Sequence, residues 1–261
     1  MIVESLMSRR ESEIYKRDDV VVRPLNHWSK TIHLLLSHYQ RKGIGGCPQF
    51  VAIENGQQEI LTFVDGDSYN YPLRGAIASE TALISAAKLL RRLHDASSDF
   101  IEQHPTENLI WMLAEREPKE VICHGDFTPY NVALNGNEVI GTFDFDTAHP
   151  APRVWDLAYS IYCWAPFKTD PVDRLGDLDQ QIGRARLFCD AYGATLQQRT
   201  DLVETMIERL NALIQFMQIE ADSGNHQFAA HIEQGHHLSY LCDIDNLRLH
   251  RGKISEGLRF E

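Results

Sequence analysis

The stretch from Val121 to Asp146 narrows the choice of fold more than any other part of this chain. It reads His124-Gly125-Asp126-Phe127-Thr128-Pro129-Tyr130-Asn131, then Val132-Ala133-Leu134, Asn135-Gly136, Val139-Ile140 and Asp144-Phe145-Asp146. Asn-Gly between two apolar runs is a two-residue hairpin signal, so 131–134 and 139–144 are expected to pair as antiparallel strands. Such a hairpin brings Asn131 and Asp144 together at its open end. One carboxylate and one amide oxygen side by side suit a hard, oxygen-preferring cation such as Mg²⁺. Asp126 precedes Asn131 by five residues, with Pro129 stiffening the loop between them. It presents a second carboxylate to the same cavity without binding the metal directly.

The order of these groups narrows the chemistry. A base, an amide ligand and a metal carboxylate, in that sequence, match the phosphoryl-transfer template of kinases, whose loop reads H-R-D-x-x-x-x-N and is followed by D-F-G. Here the first becomes His124-Gly125-Asp126 with Asn131, and the second Asp144-Phe145-Asp146. The sequence resembles the aminoglycoside phosphotransferase and choline kinase family, the small-molecule relatives of protein kinases. The likeness rests on that loop, on the later Asp-Phe-Asp and on Asp156-Leu157-Ala158 opening the next helix. It is strong over 121–160 and weak over the N-terminal part and the last 90 residues. It implies an α+β, bilobal protein-kinase-like fold with ATP or GTP as phosphoryl donor in the cleft. By the same resemblance Asp126 is the catalytic base, and Asn131 and Asp144 hold Mg²⁺ on the nucleotide phosphates. His124 and Asp156 then brace the catalytic loop, and Asp146, standing where protein kinases have Gly, is an extra metal or acceptor contact.

The rest of the chain fits a small strand-rich lobe before a larger helical one. Glu13–Arg17 and Val20–Arg23 flank Asp18-Asp19, and Gln49–Ile53 and Glu59–Val64 flank Asn55-Gly56, each a hairpin pattern. Between them Ser29 is placed to cap a helix over Lys30–Lys42, with Ile32, Leu35, Leu36 and Tyr39 at helical spacing. Asp65-Gly66 breaks the pattern, dividing a lobe over 1–66 from one over 67–261. Beyond it, Ser79 precedes a helical segment through His94, and further helices are expected near 153–164, 177–192, 200–222 and 226–250. Leu202, Met206, Leu210, Leu213 and Met217 form the clearest stripe and read as core.

In related proteins a hairpin covers the phosphates and a basic residue on the next strand contacts them, and Arg23 matches that residue. Arg presents a forked donor suited to phosphate. Its expected helical partner is Glu, but the matching helix offers His33. The loop Ser8–Glu13 contains no glycine, unlike covers that approach phosphate closely. Leu61-Thr62-Phe63-Val64 resembles the family hinge, whose Thr62 carbonyl and Val64 amide would read a purine edge. No Walker A motif is present, and Lys42-Gly43-Ile44-Gly45-Gly46 reads as a helix end and turn.

Charge separates possible partners. The 261 residues carry a net charge of −12. Residues 1–66 hold 8 basic and 8 acidic side chains, so the whole surplus lies in 67–261. That argues against nucleic acid as a partner and permits a cationic ligand. Asp170 and Asp173, with Asp177 and Asp179, crowd one segment and are candidates for binding ammonium groups of an acceptor. Glu220, Asp222, Asp243 and Asp245 are weaker candidates of the same kind. Five cysteines without a CxxC pair read as reduced thiols of a cytoplasmic protein, and no run of apolar residues is long enough to span a membrane. The expectation is phosphoryl transfer from ATP·Mg²⁺ to a hydroxyl of a small, amine-bearing molecule. A kinase of choline, homoserine or a macrolide, a non-catalytic pseudokinase and a metal-dependent hydrolase on Asp126, Asp144 and Asp146 are the alternatives.

Overall fold

The structure, a computed structural model, describes residues 3–5, 14–104 and 108–259. The glycine-free loop Ser8–Glu13 lies outside the described residues. Five strands, β1 (Val3–Ser5), β2 (Tyr15–Arg17), β3 (Val20–Pro24), β4 (Phe50–Glu54) and β5 (Gln58–Thr62), form an antiparallel sheet in the order β1-β2-β3-β5-β4. The turn between β4 and β5 has both central residues at positive φ, Asn55 at 52° and Gly56 at 69°, which is the type I′ geometry that Asn-Gly favours. Helix α1 (Ser29–Arg41) buries Ile32, Leu35, Leu36 and Tyr39. Ser29 does not cap it. Its hydroxyl accepts the Asn26 N–H at 3.0 Å, Trp28 occupies the cap position, and the helix begins at Ser29 itself.

The chain then turns helical. Helix α2 (Glu80–Ser97) is capped by Ser79, whose hydroxyl accepts the Ala82 N–H at 3.1 Å, and α3 (Phe100–Gln103) is a single short turn. Strand β6 (Val121–Cys123) precedes the hairpin of β7 (Val132–Asn135) and β8 (Glu138–Thr142), and β9 (His149–Ala151) returns to pair with β6. Helices α4 (Arg153–Trp164), α5 (Leu178–Tyr192), α6 (Leu196–Asp222), α7 (His226–Glu233) and α8 (His236–Gly257) complete the chain. The expected helix over 226–250 is two helices, broken where Gly235 adopts φ 76°. Helix α6 starts four residues before the expected position 200, because Thr195 and Gln198 form a capping box.

The core lies between α2, α4, α5 and α6. Leu83, Ala86 and Leu90 of α2 meet Leu157, Ile161, Trp164, Phe188, Leu202, Met206 and Leu210, all fully buried. Each large apolar side chain sealed from water contributes about 1.5–3 kcal/mol, so this layer fixes α4 and the loop ahead of it. Leu213 of the predicted stripe is only partly buried. The chain therefore has a strand-rich N-terminal region and a mainly helical C-terminal region, as the α+β kinase-like expectation requires. Where the regions meet, Asp67 and Leu134 exchange two backbone hydrogen bonds of 2.9 Å, fastening the segment after Gly66 to β7. No helix among the described residues is long and apolar enough to cross a membrane.

Candidate active site

The loop 124–131 is held from below. Asp156, in the first turn of α4 and fully buried, accepts the backbone N–H groups of His124 at 2.8 Å and Gly125 at 3.0 Å and faces His94 Nε2 at 3.0 Å. Burial alone would raise its carboxyl pKa. His94, His124 and the loop amides outweigh burial and pull it down to about 2. Gly125 stands at φ 81°, and a Cβ there would lie 2.3 Å from the Thr147 carbonyl oxygen. Arg209 of α6, itself buried, donates through Nη2 to the Gly125 carbonyl at 2.8 Å. The His124 ring is fixed as well. The Asp126 N–H donates to its Nδ1 at 3.3 Å, so Nε2 carries the proton it gives to the Phe143 carbonyl at 3.0 Å. Burial lowers the pKa of this imidazole and keeps it neutral.

The β7–β8 hairpin brings Asn131 and Asp144 together as its sequence requires. The Asn131 carbonyl accepts both the Phe143 N–H at 3.0 Å and the Thr142 hydroxyl at 2.7 Å, which closes the open end of the hairpin. The Asn131 side-chain amide donates to Asp126, at 2.8 Å to Oδ2 and 3.0 Å to the backbone oxygen. Its own side-chain oxygen is left for another partner. Asp144 adopts φ 62°, a left-handed conformation that Asp tolerates better than most residues, and its side chain is 48% exposed. Asn131 and Asp144 both line one cleft, so the donor set is one amide oxygen and one carboxylate, which fits Mg²⁺. Asp126 also accepts the Tyr130 hydroxyl at 3.1 Å. Burial and the nearby Asp144 charge push its carboxyl up to about 6, against Arg209 and the donors on it.

Arg23 is engaged on every side. Its Nε donates to Glu59 Oε1 at 2.7 Å, Nη2 to Asp146 Oδ1 at 2.7 Å, and Nη1 lies 3.6 Å from Asp144. Glu59, on β5, is fully buried, and its second oxygen meets His33 Nε2. Burial would raise the Glu59 pKa, but His33 and Arg23 take it below the usual carboxylate value. Removing either member of such a buried pair costs about 3–5 kcal/mol because the other is left an uncompensated charge. Glu59 was not singled out from the sequence. The signal for it lies in strand register, since Arg23 and Glu59 are direct partners in the β3–β5 ladder.

The cleft has a volume of about 680 Å³. Val21, Leu61, Thr62, Val64 and Phe143 line it together with Arg23, Asn131, Asp144 and Tyr130. Thr62 and Val64 are thus among the residues that line it. Asp170 and Asp173 are not among the described residues lining it. The Asp170 side chain accepts the Val172 N–H at 2.7 Å in an exposed loop, and Asp173 sits near Tyr71. Other acids of the same group serve the fold. Asp177 caps α5, Asp179 pairs with Lys253 at 2.5 Å, and Asp243 accepts from Tyr162 and Thr169.

Arg23, Asn131 and Asp144 line the cleft of a two-region kinase-like fold, with Asp146 bonded to the arginine and Asp126 to the amide. A family profile described as "Phosphotransferase enzyme family" matches residues 86–194. The trifolitoxin immunity protein of Rhizobium leguminosarum bv. trifolii is 30% identical over 203 residues, covering 74% of this chain and 75% of that protein. The chain belongs to this phosphotransferase family. Among solved structures, a Plasmodium vivax ethanolamine kinase superposes with a TM-score of 0.56 at 13% identity, over 77% of this chain and 70% of its own. The gentamicin complex of the aminoglycoside phosphotransferase APH(2")-IIa gives 0.55 at 13% identity, over 99% and 94%. A choline/ethanolamine kinase family protein from Mesorhizobium loti gives 0.54 at 12%, over 94% and 92%. These likenesses establish the fold.

Proposed function

We propose that this protein is a cytoplasmic kinase that moves the γ-phosphoryl group of ATP or GTP to a hydroxyl of a small, amine-bearing molecule. The observation that carries the reading is a cleft lined by Asn131 and Asp144 beside apolar residues, with Asp126 hydrogen-bonded to Asn131 at 2.8 Å. On this reading residues 1–66 form the nucleotide-binding lobe and 67–261 the lobe that holds metal and acceptor. The apolar walls at Val21, Leu61 and Phe143 sandwich the base, with Thr62 and Val64 on its edge. Asn131 and Asp144 hold Mg²⁺, which when bound neutralises charge on the phosphates. Arg23 adds a forked cation on the same side. Asp126, ionised above its pKa of about 6, orients the acceptor hydroxyl and takes its proton. Asp156 and His124 keep the loop in place for that transfer. Asp146 serves through its pair with Arg23.

Two features support an amine-bearing acceptor. The chain is acidic outside its first 66 residues. Tyr130, Tyr159 and Tyr240 gather near Asp126, and Tyr71 and Tyr162 hold the Lys168 ammonium 4.7 and 5.2 Å from their ring centres. Aromatic faces that carry one ammonium suit another. The relative's name, an immunity protein, supports including toxins among the acceptors tried. Five free cysteines, three of them buried, support a reducing compartment.

The test is an ADP-release screen of the purified protein with Mg²⁺ against aminoglycosides, choline and ethanolamine, amino alcohols, macrolides and peptide toxins. Asp126→Asn is expected to lower turnover about 10²–10⁴-fold with nucleotide affinity within a factor of a few, the size of a lost general base. A variant that keeps most of its turnover overturns the mechanism.

A further inference from the structure

We infer that Glu59 and His33 are positioning residues that aim the Arg23 guanidinium at the nucleotide phosphates, the carboxylate coming from a strand where the family resemblance expects it on a helix. The inference rests on the phosphotransferase reading above and names two residues that reading does not use.

The geometry begins in the β3–β5 ladder. Arg23 and Glu59 are Cα partners, so their side chains leave the sheet on the same face. Glu59 is fully buried, and both its oxygens are occupied, one by Arg23 Nε at 2.7 Å and the other by His33 Nε2. The His33 ring is in turn stacked on Phe50 of β4, with centroids 3.9 Å apart and planes 23° from parallel. Three strands and a helix thus fix one carboxylate. With its Nε side tied to Glu59, the guanidinium can rotate little, and its two terminal nitrogens face Asp146 and Asp144, the latter lining the cleft with Arg23 itself. A planar fork with one edge anchored loses less freedom on meeting a phosphate than a free side chain.

Three variants test this in the full chain. Binding of ATP with Mg²⁺ and of adenosine is measured by calorimetry, beside thermal unfolding. Glu59→Gln keeps the volume and removes the charge. It is expected to weaken ATP at least tenfold while adenosine affinity changes less than threefold. His33→Ala is expected to weaken ATP several-fold, and His33→Gln, which still donates to Glu59, to restore it. A residue that merely supports the fold would weaken both ligands together, so a parallel loss overturns the inference. ATP affinity equal to wild type in folded Glu59→Gln or in His33→Ala also overturns it. Should Glu59→Gln fail to fold, the two His33 variants decide. Wild-type protein that binds ATP with Mg²⁺ beside unaffected variants sinks only this inference. Wild-type protein that binds no nucleotide sinks the phosphotransferase reading with it.

Discussion

His149 stands between two partners that together allow it one protonation state. Its Nδ1 lies 2.8 Å from the Thr147 carbonyl, which can only accept, and its Nε2 lies 3.1 Å from the Trp155 indole nitrogen, which can only donate. The ring is therefore neutral, with its proton on Nδ1, and protonating Nε2 would break the indole bond. Burial lowers its pKa to about 4. Between pH 6.5 and 4 the unfolded chain takes up a proton at this position and the folded chain does not, so stability falls as pH falls. The difference between 6.5 and about 4 corresponds to roughly 3 kcal/mol at pH 4. Asp156 acts lower: its stabilisation is intact above its unfolded value near 3.8 and is lost as pH falls toward 2. His149→Gln keeps a donor for Thr147 and an acceptor for Trp155 without titrating. Unfolding temperatures measured from pH 7 to 4 should drop less steeply in that variant, and parallel curves would contradict the assignment. Legibility at this scale followed distance along the chain. Asp126, Asn131 and Asp144 could be read because a tight hairpin determines which of them meet. Glu59 lies 36 residues from Arg23 and becomes visible only once the strand register is known.

Among the elements, the loop after α1 and the strand β8 approach so closely that each must present a glycine. Gly46 sits at φ 80°, and a Cβ on it would fall 2.2 Å from the Ile140 carbonyl oxygen. Gly141 opposite has Gly46 O and Val64 Cγ1 each 2.6 Å from where its Cβ would be. The Thr142 N–H donates to the Gly46 carbonyl at 2.8 Å. This contact ties the N-terminal region to the hairpin that carries Asp144. Gly46→Ala forces an L residue into the left-handed region, a cost of about 1–3 kcal/mol before the clash is counted. At 2–4 °C per kcal/mol for a large domain, the unfolding temperature should fall by several degrees. Gly45→Ala, with nothing within 4 Å and no positive φ, should leave it almost unchanged. Equal effects of the two substitutions would remove the argument from close approach. The sequence made the hairpins and most helices plain, because Asn-Gly turns and apolar stripes are local signals. It hid β9, a three-residue strand containing Pro150, and the break before α8, where Gly235 interrupts a stretch without strong amphipathic pattern. It also hid the use of Gly46, since a close approach between two backbones leaves no periodic mark.

For the whole molecule, the cleft joins residues as far apart as Val21 and Asp144, so its ligand stabilises the association of two regions and not one element. Anything that binds the folded chain alone raises stability, by about 2.7 kcal/mol at a hundred times its dissociation constant. The charge around the cleft decides which ligand can do this. Asp144 lines the cleft, with Asp126 behind Asn131 and Asp146 on Arg23, in a chain of net charge −12, and Arg23 is already shared between Glu59 and Asp146. On the proposed reading ATP alone would meet carboxylates there, whereas ATP with Mg²⁺ would bring the cation those carboxylates favour. Thermal unfolding should therefore shift upward by roughly 5–10 °C at saturating ATP with Mg²⁺, and far less with ATP and a chelator. On that reading Asp144→Asn should shrink the Mg²⁺-dependent part of the shift, because it removes the carboxylate assigned to the metal and leaves the apolar lining residues in place. An ATP shift of the same size with and without Mg²⁺ would mean that the cleft does not hold a metal, and that the neutral region binds nucleotide by itself.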